Sequence, residues 1–312
     1  MKRLVFTLVA FLLCFSGKTN SKIERPRISG ISGVRFYSTN ITGARVFYAQ
    51  VMRPSGICLW CEEPSSPAGV CLECEKQSIP PVIIPVSPTQ RLTLSAAPEP
   101  APSNLLYEIV FATDDIKAMK RYLTANKVQF ESAKSSTTTC TVIDPEGHRI
   151  SFTELPKTSQ GSVAETSSRH LIHAGFVVND RAAEDKFYKD ILGFHVYWHG
   201  GMKEGEDNWV DMQVPDGTDW IEYMLRVAPD ASHKTLGVMN HIALGVPDIH
   251  AAQQQLIKNG WKGTEEPKIG RDGKWQLNLY DPDETRVELM EFKPTKEPCC
   301  SAYTGPHPGP PQ

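Results

Sequence analysis

The chain has 312 residues, of which 40% are hydrophobic and 22% charged, and its net charge is −3. That length allows two domains, the composition excludes a disordered chain, and the charge carries no basic footprint for nucleic acid.

Lys2 and Arg3 precede an apolar run, Leu4 to Phe15, too short to span a bilayer comfortably, and small Ser16 and Gly17 follow. Residues 1–17 read as a cleaved signal peptide, which predicts an exported protein, periplasmic or extracellular, with no membrane span in the mature chain. An uncleaved anchor and a lipoprotein cysteine at Cys14 stay open as alternatives, the second opposed by bulky Leu13. Cys58-x-x-Cys61 and Cys71-x-x-Cys74 follow, nine residues apart. Two such pairs fit a structural zinc, while export favours disulfides, and both readings stand. Cys140 reads as a small buried hydrophobe. Residues 156–168 are a polar linker, and the Pro/Gly-rich residues 295–312, with Cys299 and Cys300, read as a disordered tail.

Between these segments the pattern repeats. From His173 the chain reads strand, turn, helix (Ala183, Phe187 and Ile191 at helical spacing), then three strands. From His241 it does so again, with Ile249, Ala252 and Leu256 on the helix. Two fainter copies precede them, and "VIDPEGHRISFTEL" in the first half matches "LYDPDETRVELMEF" in the second. The expected fold is α+β: four β-α-β-β-β modules in two pairs, each pair a cupped mixed sheet with helices on its outer face. Residues 27–155 hold the first pair and 169–294 the second.

His173 and His241 open the first strands of the third and fourth modules. Glu222 and Glu288 lie in the last strands, at similar spacings of 49 and 47 residues. Strand alternation turns all four away from the helices. Singly, such residues are more often core or solvated side chains. Four at matching places suit one divalent ion, with Zn, Ni, Co, Mn and Fe(II) all open. The first half lacks the quartet: Gly33, Glu108 and Ser151 stand where His173, His241 and Glu288 would be. Trp209, Asp211, Trp220, Asn278, Tyr280 and Arg286, with Gln213 and Gln276, alternate toward the same face as pocket candidates.

The constellation, with "FYKDILGF" at Phe187–Phe194, resembles the vicinal oxygen chelate superfamily of glyoxalase I, epimerases, extradiol dioxygenases and bleomycin or fosfomycin resistance proteins. The ligand pattern is most similar to glyoxalase I. The resemblance implies a glyoxalase-like lyase, isomerase or epimerase. Its ion would stabilise the enolate of a small substrate bearing two neighbouring oxygens, with Glu222 or Glu288 as base. The alternatives are an extradiol ring-cleaving dioxygenase, whose site Glu222 would crowd, and a non-catalytic ligand-binding or resistance protein. The expected partner is a small molecule, and two pairs in one chain allow a monomer or a homodimer.

Overall fold

The computed structural model describes residues 23–52, 80–131, 136–155 and 169–311. The expected signal peptide, Cys58, Cys61, Cys71, Cys74 and the 156–168 linker lie outside the described residues.

The first half contains β1 (Ile28–Ser38), α1 (Ile41–Met52), β2 (Val82–Pro85), β3 (Arg91–Ala96), β4 (Leu106–Thr113), α2 (Ile116–Ala125), β5 (Thr139–Ile143) and β6 (Arg149–Glu154). These strands form a mixed sheet in the order β2-β3-β1-β4-β6-β5. The second half contains β7 (His170–Val177), α3 (Arg181–Asp185), a π-helical turn (Lys186–Ile191), β8 (His195–Gly200), β9 (Trp209–Gln213) and β10 (Trp220–Met224). It continues with α4 (His233–Met239), β11 (His241–Val246), α5 (Ile249–Lys258), β12 (Lys268–Ile269), β13 (Trp275–Tyr280) and β14 (Arg286–Glu291). Its sheet runs β12-β13-β14-β11-β7-β10-β9-β8. These are the two mixed sheets of paired modules that the repeat predicts, although in the first half two strands and not three follow each helix among the described residues.

The helical stripe of the third module is displaced. Leu192 N–H donates to Phe187 O, five residues back. Around this wider turn Phe187, Tyr188 and Leu192 point inward, with Glu184 of α3 before them, and Ala183 is left half-exposed. In the fourth module the expected stripe holds, with Ile249 and Leu256 buried and Ala252 against the core. Cys140 is buried and free, as its position suggested.

The halves are keyed together. Gln90 Nε2 donates to Ile31 O and Leu171 O, and Leu171 N–H donates back to Gln90 Oε1. Ile31 N–H donates to Asp219 at 2.8 Å.

The tail expected to be disordered is packed along the second sheet as far as residue 311. Trp198 Nε1 donates to Cys299 O, Thr304 N–H to Tyr197 O, Gln213 Nε2 to Pro306 O, and His170 Nδ1 lies 2.6 Å from Gly309 O. The Tyr303 ring lies tilted against that of Tyr197, their centres 4.7 Å apart. A Pro/Gly-rich chain forms few hydrogen bonds with itself, so its carbonyls are free to take donors from a neighbouring edge. Cys299 and Cys300 are disulfide-bonded to each other.

Candidate metal centre

Strand order puts the quartet in one place. β14, β11, β7 and β10 are successive neighbours and carry Glu288, His241, His173 and Glu222 respectively. Two rows cross them. One runs Asn278, Glu288, Ala243, His173, Trp220; the other runs His241, Gly175, Glu222, Asp211. Gly175 lies between His241 and Glu222 and leaves room for the imidazole to lean across. A β-bulge at Ile172 breaks the alternation of β7, so that Ile172 packs on the cup side beside Ala243 while Leu171 and Ala174 pack under the helices.

The donor atoms converge. His173 Nε2 lies 3.1 Å from His241 Nε2, 3.8 Å from Glu222 Oε2 and 3.7 Å from Glu288 Oε2. His241 Nε2 lies 3.1 Å from Glu222 Oε2. One atom each of His173, His241 and Glu288 fall within 4.8 Å of one another, while Glu222 reaches the group through the two imidazoles. All four are buried or nearly so.

The chemistry of this donor set fits a divalent cation. His241 Nδ1 faces Met239 O at 3.0 Å, which places the proton there and leaves Nε2 a lone pair aimed at the cluster. Burial, then the charges of His241, Arg286 and Lys274, holds His173 well below its usual range. Burial and Arg286 lower His241 as well, although Glu222 and the Met239 carbonyl oppose them. Both rings are therefore neutral ligands near pH 7. The carboxyls are driven apart. Burial, with Glu222 and Asp272 adding repulsion, pushes Glu288 up to about 7 despite Arg286. Burial also raises Glu222, but the neighbouring His241, with Arg286 and Lys274, outweighs it and leaves the carboxyl below its ordinary value. Arg286 donates from Nη2 to His241 Nε2 and lies 3.9 Å from Glu222. The electrostatics of the cluster already select a positive group.

The quartet opens into a cup of about 290 Å³, near the lower end of ligand-site volumes. Of the expected pocket residues, Trp209, Asp211, Trp220, Asn278 and Arg286 line it, as does Gln276. Tyr280 does not: it stands 40% exposed at the end of β13, beyond the rim. Gln213 turns instead toward Thr218 and the tail.

Residues 170–289 match the family model of the Glyoxalase/Bleomycin resistance protein/Dioxygenase superfamily. The second half is a domain of that superfamily. Lactoylglutathione lyase of Haemophilus influenzae is 27% identical over 128 residues, 40% of this chain and 95% of its own length. A probable chloroplastic lactoylglutathione lyase of Arabidopsis thaliana is 25% identical over 139 residues, 44% of this chain and 39% of that protein. Homoprotocatechuate 2,3-dioxygenase of Brevibacterium fuscum, in complex with 3,4-dihydroxyphenylacetate, shares the fold at 19% identity, covering 91% of this chain and 84% of that one, with a TM-score of 0.56. The Arthrobacter globiformis enzyme does so at 19%, 86% and 81%, with 0.53.

Within the superfamily domain, sequence reasoning missed Lys274. It is fully buried, its Nζ has no hydrogen-bond partner among the described residues, and it faces the rings of Trp220 at 4.4 Å, Tyr303 at 5.1 Å and Tyr197 at 5.2 Å. Burial lowers its pKa, against the charges of Asp272, Asp211, Glu288 and Glu222. Its signal was hidden because one wall of this cage comes from the tail. In the first half the quartet positions hold a different arrangement: Ser151 Oγ donates to Glu108, which also meets Arg35 at 3.5 Å and Arg149 at 3.7 Å.

Proposed function

We propose that the protein is a metal-dependent, glyoxalase-like lyase, isomerase or epimerase acting on a small substrate with two neighbouring oxygens. The observation that carries this reading is Glu222 Oε2 at 3.1 Å from His241 Nε2, where it makes a fourth donor. A divalent ion held by His173, Glu222, His241 and Glu288 would supply Lewis acidity to the substrate oxygens, making the neighbouring C–H more acidic. Glu222, ionised and lining the cup, takes the proton from that carbon at Oε1, the oxygen that does not face His241. Glu288, raised to about 7 in the metal-free protein, would be held ionised as a ligand once the ion binds, which leaves the proton transfer to Glu222. Arg286 orients an anionic oxygen, and the Trp198, Trp209 and Trp220 rings keep water from the reacting carbon. On the pattern of residues 1–17, this activity belongs to an exported protein. Among the described residues no helix is long and apolar enough to cross a membrane.

Extradiol ring cleavage is the second reading. It is favoured by the compact His173, His241, Glu288 set, two imidazoles and one carboxylate, and by a fold likeness to dioxygenases that extends over both halves. Glu222→Ala separates the two. Proton transfer predicts retained but weaker metal binding, and α-proton exchange in D₂O reduced roughly 10²–10⁴-fold. Undiminished exchange, or catechol-dependent O₂ uptake that persists or rises in the variant, would reverse the ranking. Neither activity in the metal-loaded wild type would leave the non-catalytic binding protein.

A further inference from the structure

The halves also meet at two joints built on one plan. In the first, Tyr48 of α1 donates to Asp281 at 3.4 Å, and Asp283 accepts Thr39 N–H at 3.0 Å. In the second, Tyr188 of the π-turn donates to Asp144 at 3.1 Å, and Glu146 accepts Asn179 N–H at 2.7 Å. Asn40 caps α1 through Gly43 N–H, as Asp180 caps α3 through Ala183 N–H. Two of the positions at which the joints differ change the ligand chemistry. Four residues before the tyrosine stand Ala44 and Glu184, and four residues after the aspartate stand Thr285 and His148.

Those two differences create a donor cluster. His148 Nδ1 lies 2.8 Å from Asp144 Oδ2, and one atom each of Asp144, His148 and Glu184 fall within 4.8 Å of one another. Glu184 is 0% exposed. Its Oε1 accepts Glu146 N–H at 3.0 Å, and its Oε2 has no hydrogen-bond partner among the described residues. An unpaired buried carboxylate oxygen is costly. The joint does not need one to close, because Ala44 occupies the matching place in the sister joint. The hydroxyl of buried Tyr223 is also unpartnered among the described residues, and after burial the charges of Asp185, Glu184 and Asp144 act on it most.

We propose that Asp144, His148 and Glu184 form a second divalent-cation site that fastens the two halves together. One imidazole and two carboxylates suit a first-row ion such as Zn²⁺. A metal on His148 Nδ1 takes the place of the proton at that nitrogen, which the neutral ring then carries on Nε2, and the proton on Glu184 leaves to solvent. His148, with 14% of its side chain exposed, is the member nearest water and offers the entry. The competing occupant is a proton on Glu184, whose carboxyl is pushed up to about 9 by burial and then by the charge of Asp144. The site is independent of the reaction run in the cup.

The test uses zinc-loaded full-length protein and elemental analysis. Replacing both residues by their sister-joint counterparts, Glu184→Ala with His148→Thr, should remove one zinc equivalent per chain. His173→Ala should remove a different one, and the losses should add. Equal zinc in wild type and the double variant overturns the proposal, whatever His173→Ala does, so its failure is distinguishable from failure of the cup assignment. Should the double variant not fold, zinc-edge anomalous scattering from wild-type crystals decides the matter. A peak between the three residues is expected, and its absence from zinc-loaded crystals assigns the cluster to a proton.

Discussion

Gly175→Ala is the sharpest perturbation of the quartet, because it touches no proposed ligand chemically. A Cβ at Gly175 would lie 2.1 Å from Cε1 of His241, 2.5 Å from Nδ1 and 3.0 Å from Nε2. Ordinary contact begins near 3.4 Å, so the ring must retreat by 3.4 − 2.1 = 1.3 Å. Metal–ligand bonds tolerate about 0.2 Å. The retreat also breaks the Nδ1 contact to Met239 O that fixes the ring's orientation. Loss of such an outer hydrogen bond alone costs roughly 10–100-fold in affinity, so at least that loss is expected in a titration against a competing chromophoric chelator. Overpacking should also cost about 1–3 kcal/mol of stability. Gly245→Ala is the control: its Cβ would meet Phe292 Cε1 at 2.2 Å, a comparable overlap that moves no ligand. It should lower stability while keeping metal affinity. Wild-type affinity in Gly175→Ala, or equal affinity losses in the two variants, would refute the argument that an empty place beside His241 forms the site.

Metal affinity should depend on pH through Glu288. Its carboxyl is raised to about 7 in the metal-free protein while both imidazoles are lowered, so the proton that competes with the ion below pH 7 is the one on Glu288. Affinity should fall about tenfold per pH unit below that point and level off above it, and a titration flat from pH 5 to 8 would contradict this. Tyr303→Ala removes one wall of the Lys274 cage and the hydrogen bond from Tyr303 to Asp272 O at 2.7 Å. It should lower stability by about 1–3 kcal/mol, and an unchanged melting temperature would show that the packed tail contributes little.

The quartet was legible in the sequence because strand periodicity and the repeat interval are both short-range regularities. Two histidines and two glutamates at similar spacings in two copies leave few ways to arrange them. What was not legible depends on contacts between distant segments. The cage around Lys274 is completed by Tyr303, and a Pro/Gly composition reveals no partner for a segment whose hydrogen bonds go mostly outward. Glu184 drew no notice, because what buries it is the Asp144–Glu146 turn of the first half and not its own helix. Tyr280 kept the alternation but not the depth, because alternation gives the face of a strand and not how far along it the cup extends.

The two halves form an internal comparison that explains why one cup holds the quartet. Gly175 of β7 faces His241 across one strand pair and Glu222 across the other. In the first half Arg35 stands at the corresponding place, facing Glu108 across β1 and β4 just as Gly175 faces His241. It follows that the first cup differs in more than its missing imidazoles. The position that must be empty for a ring to lean across carries a long cation instead, ion-paired to Glu108, which in turn accepts from Ser151. Both cups therefore satisfy the same constraint, that carboxylates on a buried concave face need positive charge. The first supplies it covalently, from Arg35 and Arg149. The second keeps the row open at Gly175 and brings four donors within reach of a cation. On this argument the ability to hold an ion rests on five positions of the second half, the four donors and the glycine between them, and the glycine is the one that ligand counting overlooks.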